Sequence, residues 1–350
     1  MNNTLPRPVA QATGIVRRLL LICAVTVASL AMNAGAAELS GAGSTFVEPL
    51  LGRWINTWSQ QSGTRVSYKA SGSGAGIEQV KAGTVDFAMT DAPLSEDELT
   101  KNNLTQFPVV AGGIAIVVNF PGERRRLQLT GTLLAEIYLG RITQWNDPKL
   151  QELNPAMPLP AQPIIVLYRG DSSGTSFNIT SYLTKVSPEW AQGVGTSKAP
   201  QWPTGRGIQG NETSGDTVIG TPYSIAYVEY GYALDHNMQI VGLRDAAGKT
   251  VSPTQSTISS AVDAADWANA PHFSVLLVGV QGNNAWPIAA VTWAVVSRTP
   301  RRMADGQGTL DFFRWVIRNG AALADAQGYT PMPERVVKLI EAAWAREMGR

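Results

Sequence analysis

The 350-residue chain has one cysteine and two histidines. That removes a disulfide framework and nearly every metal site built from Cys and His. It also lacks an excess of charge. With 28 Lys+Arg against 27 Asp+Glu, a net +1, no basic field is available to grip nucleic acid. Long apolar runs are missing too: the stretch Leu19–Met32 is shorter than the about 20 residues that span a bilayer. No internal repeat or low-complexity tract appears. What remains is an ordinary globular balance, 44% hydrophobic and 16% charged, whose length suggests about two domains. The 34 glycines and 21 prolines supply many loops without the excess that marks disorder.

Residues 1–36 contain no acid. Arg7, Arg17 and Arg18 flank the start of Leu19–Met32, and Ala34-Gly35-Ala36 offers small residues for cleavage, the layout of an export signal. Ile22 before Cys23 argues against a lipoprotein, and the arginine pair lacks the flanking residues of the twin-arginine route, which leaves the general pathway. Cleavage would remove three arginines and the cysteine, leaving 25 basic against 27 acidic residues, a net −2. An exported chain without cysteine must be held by its cores alone.

Short apolar runs alternate with amphipathic stretches, which predicts an α/β architecture. Helices are expected over 49–61, 76–81, 132–139, 176–183, 310–318 and 334–347. Strands are expected over 65–68, 85–89, 114–119 and 164–168. The Gly- and Pro-rich middle, 201–222, reads mostly as loop. A Gly/Ser/Thr-rich turn recurs before a helix three times: Gly41-Ala42-Gly43-Ser44-Thr45-Phe46, Ser71-Gly72-Ser73-Gly74-Ala75-Gly76 and Asp171-Ser172-Ser173-Gly174-Thr175-Ser176. A helix start carries unpaired N–H groups and partial positive charge, so each turn has the makings of an anion site. Ser and Thr are also the preferred N-caps, so each is equally explained as a capped helix. Asp91 falls at the carboxyl end of an expected strand, where open α/β sheets bind ligands. Arg169 and Asp171 fall at the end of another. The plain alternative makes Asp91 a turn residue ahead of Pro93, and Arg169 with Asp171 a local ion pair.

Six segments carry a resemblance. They are GAGSTF at 41–46, TVDFAMTDAPLS at 84–95, IYLGRITQWND at 137–147, RGDSSGTSF at 169–177, YVEYGYA at 227–233 and AWPI at 285–288. In these, in order, the chain resembles the periplasmic phosphate-binding proteins, the substrate-binding components of phosphate-specific ABC transporters. The resemblance implies a two-lobed periplasmic-binding-protein fold with crossover hinge strands and an anion cleft between the lobes. Lobe 1 would be discontinuous, 37–110 and 289–350, and lobe 2 would be 111–288. By the same resemblance the phosphate ligands would be Thr45, Phe46, Ser73, Asp91, Arg169, Ser173, Gly174 and Thr175, with Asp171 pairing the binding arginine. It implies a monomeric periplasmic receptor with no cofactor or metal, binding inorganic phosphate and also arsenate, and partnering an inner-membrane permease. Gly72-Ser73-Gly74-Ala75-Gly76 has one hydroxyl fewer than the family's usual Gly-Ser-Ser-Gly-Gly, and Gly220–Ala226 is bulkier than its Gly-Ala-Ile-Gly stretch. Neither departure touches a carried-over ligand.

The residue types suit that ligand. Neutral hydroxyls and backbone N–H groups can hold a buried oxyanion without a full countercharge, and Arg169 adds a bidentate fork. A carboxylate such as Asp91 repels an anion unless the anion has a proton to donate, which hydrogen phosphate has and sulfate lacks. A rival reading is a secreted serine hydrolase, since Gly170-Asp171-Ser172-Ser173-Gly174 matches G-x-S-x-G between a strand and a helix. It would need Ser172 as nucleophile, His236 or His272 as base, and an acid such as Asp263. Gly242–Thr250 looks like a phosphate loop, but five residues separate its glycines where the motif has four, so a surface turn between strands explains it better. A secreted scavenger using the same binding fold without a transporter would show an identical site.

Overall fold

The computed structural model describes Met1 and residues 38–123, 125–244, 248–300 and 303–348. The expected export signal, its cleavage site and Cys23 lie outside the described residues.

A ten-stranded mixed sheet organises residues 38–348. Eight of its strands form a continuous path: β1 (Glu38–Gly43), β2 (Arg65–Ala70), β3 (Phe87–Thr90), β4 (Leu104–Val118), β5 (Ile165–Arg169), β6 (Arg206–Ile208), β7 (Ser224–Glu229) and β8 (Ala289–Ser297). Their order is β2-β1-β3-β8-β4-β7-β5-β6. β1 runs parallel to β2 and β3, and β5 parallel to β6 and β7. Between these two parallel sets lie β8 and β4, antiparallel to their neighbours. β4 belongs to both halves: Leu104–Gly113 pairs with β8, and Ile114–Val118 with β7. Loops leaving the carboxyl ends of the two parallel sets therefore turn toward one another, where sheets of this kind place ligands.

The expected elements are present with shifted ends. Helix α1 (Glu48–Ser62) forms where Leu50, Leu51 and Trp54 line one buried face, and Gly63 at φ 72° ends it. Burying each such side chain contributes about 1.5–3 kcal/mol, far more than the helix's own propensity. The strand expected over 114–119 is the second half of a fifteen-residue strand. Both halves are buried on both faces; the first escaped notice because Pro108 and Gly112-Gly113 interrupt its apolar run, which Ile114–Val118 keeps unbroken. Pro108 is accommodated at a bulge, where Thr292 opposes Val110 but Trp293 opposes Pro108. Gly112 lets the Phe46 ring approach, since a Cβ there would lie 2.7 Å from it.

The middle segment corrects the sequence reading. Within 201–222 lie β6 and a helix, α4 (Asn211–Ile219). That helix has little apolar periodicity because small residues make its buried face, Asn211, Ser214, Gly215 and Val218. A Cβ on Gly215 would overlap the Tyr232 ring. The first Gly-rich turn is also placed differently, since Gly41–Gly43 ends β1 rather than opening a helix. Gly242–Arg244 and Thr250–Val251 pair as an antiparallel hairpin, as a turn between strands requires, and residues 245–247 lie outside the described residues.

Aromatic clusters fill both halves. Phe107 sits edge-on to Phe313 and Trp344 at 5.3 and 4.9 Å in one. Trp202 stacks on Tyr168 at 4.9 Å in the other and continues to Tyr227.

Candidate anion-binding site

The three Gly/Ser loops converge. Helix α2 (Ser73–Lys81) starts after Gly72, and helix α3 (Gly174–Val186) after Ser173. The Gly74 N–H donates to the Ser172 carbonyl at 3.0 Å, and the Gly174 N–H donates to Ser73 Oγ at 3.2 Å. The first loop closes the third side, because the Gly43 carbonyl accepts from the N–H groups of Ser71 and Gly72 at 3.0 and 2.8 Å. The glycines make this approach possible. A Cβ on Gly74 would lie 2.6 Å from Ser172 Cβ, and one on Gly174 would lie 2.6 Å from Ser73 Oγ and 2.8 Å from the Asp91 nitrogen. Capping accounts for Ser173, whose Oγ accepts from Ser176 N–H, but α1 and α2 have no side-chain cap.

Arg169 and Asp91 are the buried charges of this junction, 2% and 1% exposed. Arg169 ends β5, and its backbone N–H donates to the Tyr227 hydroxyl at 2.9 Å. Its guanidinium grips Asp171 through Nε to Oδ1 at 2.7 Å and through Nη2 to Oδ2. Asp171 Oδ1 also accepts from Gly210 N–H at 3.2 Å, which ties the fork to the start of α4. Asp91 directly follows β3. Its Oδ2 accepts from Ser44 Oγ at 2.6 Å and its Oδ1 from Thr292 Oγ1 at 2.7 Å. Burial pushes its carboxyl up to about 6, while these hydroxyls and the Arg169 charge hold it down.

The other predicted residues fall around this pair. Ser73 Oγ lies 3.5 Å from Asp91 Oδ2 and accepts from Asp91 N–H at 3.3 Å. Thr45 Oγ1 accepts from Asn211 N–H at 3.1 Å, so it faces α4. Phe46 donates its N–H to Ser44 Oγ at 3.0 Å and its carbonyl accepts from the Tyr329 hydroxyl at 2.6 Å. Thr175 Oγ1 is buried with no hydrogen-bond partner among the described residues. A buried hydroxyl without a partner costs stability and points to a missing acceptor or donor. Beside these groups a cavity of about 250 Å³ is lined by Thr45, Glu48, Ser71, Asp171, Gly210 and Asn211. Its rim is acidic: burial and the nearby Glu212 raise the Glu48 carboxyl.

Sequence reasoning missed five contributing residues. Ser44 lies inside a quoted motif, and Gly210-Asn211 follows a strand and opens a helix just as the other loops do, with Gly210 at φ 82° beside Gly72 at 87°. Asn178, one turn into α3, donates to the Asp91 and Gly174 carbonyls at 2.6 and 2.9 Å. Thr292 had no local signal.

The hydrolase arrangement does not assemble. His236 Nδ1 pairs with the Tyr232 carbonyl, Asp263 pairs with Arg335, and no hydrogen bond joins Ser172 to either histidine among the described residues. Among those residues no cluster of three or more His, Cys, Asp or Glu is placed to hold a metal ion, and no helix is long and apolar enough to cross a membrane.

The profile of the PBP superfamily domain matches residues 28–319. The phosphate-binding protein PstS of Xylella fastidiosa strain Temecula1 is 42% identical over 311 residues, covering 89% of this chain and 85% of that one. PstS of Haemophilus influenzae is 39% identical over 316 residues, covering 90% and 95%. The crystal structure of a phosphate-binding protein from Stenotrophomonas maltophilia superposes with a TM-score of 0.68 at 21% identity, covering 89% of this chain and 94% of that one. Those relatives are named for binding, not catalysis, and the chain belongs to the phosphate-binding protein family of the PBP superfamily.

Proposed function

We propose that the chain is an exported receptor that captures inorganic phosphate in the periplasm and delivers it, as a monomer, to the permease of an ABC importer. One observation carries the reading: a buried guanidinium and a buried carboxylate flank the same junction of glycine-rich loops. Arg169 calls for an anion, and Asp91 refuses any anion that brings no proton. Together they describe hydrogen phosphate, or arsenate, and exclude sulfate. Thr45, Ser173 and Thr175 offer hydroxyl protons, and the unpartnered Thr175 hydroxyl gains its partner from the ligand. Phe46, Ser73 and Gly174, whose donors bond Ser44, Asp91 and Ser73 in this structure, would share them with the ligand. Asp171 positions the Arg169 fork and tempers its charge. The acidic rim fits a receptor that selects by its donor geometry rather than by a positive field.

Residues 37–110 with 289–350 would form one lobe and 111–288 the other, hinged on the crossover strands. Donors from both lobes are satisfied together only when the cleft shuts, and the shut form is what the permease meets.

The test is calorimetric titration of phosphate-stripped protein and its Asp91→Asn variant with phosphate and with sulfate at pH 7.5. The parent should bind phosphate at micromolar concentration or below and give no sulfate heat. The variant should bind both. A variant that still rejects sulfate as the parent does removes Asp91 from the selection.

A further inference from the structure

The carboxylate of Asp91 is itself held by two hydroxyls, one on each oxygen, from parts of the chain about 250 residues apart. Ser44 Oγ already accepts the Phe46 N–H, so its own proton is left for Asp91 Oδ2. Thr292 reaches Oδ1 through strand register. β8 pairs with β3 from Val296 opposite Phe87 to Trp293 opposite Thr90 in unbroken register, and one further step brings Thr292 opposite Asp91. Thr292, fully buried, thus lies just past the end of β3, beside the residue that follows it. A carboxylate oxygen has two lone-pair positions: Ser44 fills one on Oδ2, where Ser73 makes a longer contact at 3.5 Å, and Thr292 fills one on Oδ1, which keeps its second. The charged and titratable groups that act on Asp91 are Arg169, Tyr68 and Tyr329, and Ser73 adds a weaker hydroxyl contact.

We propose that Ser44 and Thr292 are specificity-determining positioning residues: acting through Asp91, they keep its carboxyl in the proton-accepting form and aim the free lone pair of Oδ1 at the ligand. The inference rests on the reading of Asp91 as the group that excludes sulfate. A desolvated carboxyl next to an arriving anion would otherwise take up a proton, become a donor, and admit the wrong ion. Two fixed donors oppose that uptake. Ser44 does so strongly, since a protonated Oδ2 would leave its hydroxyl without that acceptor. The clamp thereby sets the pH below which the filter fails.

The experiment follows sulfate and phosphate binding by calorimetry from pH 5 to 8.5 for the full-length mature protein. In the parent, sulfate binding should emerge as pH falls to about 6. Thr292→Val, which keeps the shape and removes the hydroxyl, should move that midpoint upward by about one pH unit, so that sulfate binds near neutrality. Thr292→Ser should restore the parent's midpoint. Ser44→Ala, on the other oxygen, should shift it in the same direction and carries the test if Thr292→Val does not fold. A mere packing role would weaken both ions alike and leave the midpoint in place. That result, or unshifted midpoints in both variants while Asp91→Asn binds sulfate throughout the range, overturns the inference. If Asp91→Asn itself excludes sulfate at pH 7.5, the underlying reading of Asp91 falls and the inference with it.

Discussion

Gly174→Ala puts the close approach of the two loops to a quantitative test. The added Cβ would lie 2.6 Å from Ser73 Oγ, 2.7 Å from Asp91 Cβ and 2.8 Å from the Asp91 nitrogen, and backbone at that distance cannot give way. The second and third loops must then separate. Three bonds across the junction are lost: Gly174 N–H to Ser73 Oγ, Gly74 N–H to Ser172 O, and Asn178 Nδ2 to Asp91 O. At about 1 kcal/mol net each they amount to ~3 kcal/mol, or roughly a hundredfold in phosphate affinity. The loops need not touch in the ligand-free protein, and alanine suits the first turn of a helix better than glycine. Its melting temperature should therefore hold or rise slightly, while the rise produced by phosphate shrinks. Gly74→Ala is the companion variant. It tests the same approach from the opposite loop: Ser172 Oγ can rotate away, but Ser172 Cβ at 2.6 Å is fixed by its backbone, so affinity should fall here too. Gly52→Ala, with nothing within 4 Å of its Cβ, should bind as the parent does. If Gly174→Ala binds phosphate within about threefold of the parent, the loops do not close on the ligand as argued.

Other perturbations have equally definite outcomes. Arg169→Lys should lower phosphate affinity by about a hundredfold or more, because an ammonium cannot pair Asp171 and an oxyanion with one planar fork; calorimetry checks it. Stability of the ligand-free protein should depend on Glu229, whose carboxyl burial pushes up to about 8 from its ordinary 4.5, with the Gly231 and Tyr232 N–H groups holding it down. The folded state then keeps a proton that the unfolded chain releases, so this contribution is full below about pH 4.5 and is lost as pH rises to about 8. Urea denaturation at pH 5 and pH 8 should show the fall, and Glu229→Gln should flatten it whatever its absolute stability. Gly76→Ala should destabilise the fold by about 1–3 kcal/mol, seen as a drop of several degrees in melting temperature, because its Cβ would press on the backbone of Ala42 and Gly43, which has nowhere to move.

Periodicity and punctuation made the local elements legible from residues alone. Leu50, Leu51 and Trp54 mark one helix, Gly63 its end, and the Val- and Ile-rich runs mark strands, because amphipathic spacing and glycine stops act within a few residues. Asp91, Arg169 and the three Gly/Ser turns could be singled out for the same reason: each sits at a strand end or a helix start. Where apolar periodicity is absent, as in α4, or where proline and glycine break an apolar run, as in the first half of β4, the local pattern carries no sign of the element.

Convergence was a matter for the tertiary structure alone. Nothing local to Gly74 or Gly174 says that each must be bare because the opposite loop arrives there. Thr292 is beyond reach of any motif, since the register of two strands far apart in sequence brings it to Asp91. The pairing of Arg169 with Asp171 is local and readable, but the burial that raises Asp91 belongs to the whole junction. Sequence determined which residue types stand at the ends of the elements. Packing of two parallel strand sets across β4 and β8 decided which of those ends meet, because a contact between distant segments depends on the register and twist of everything between them.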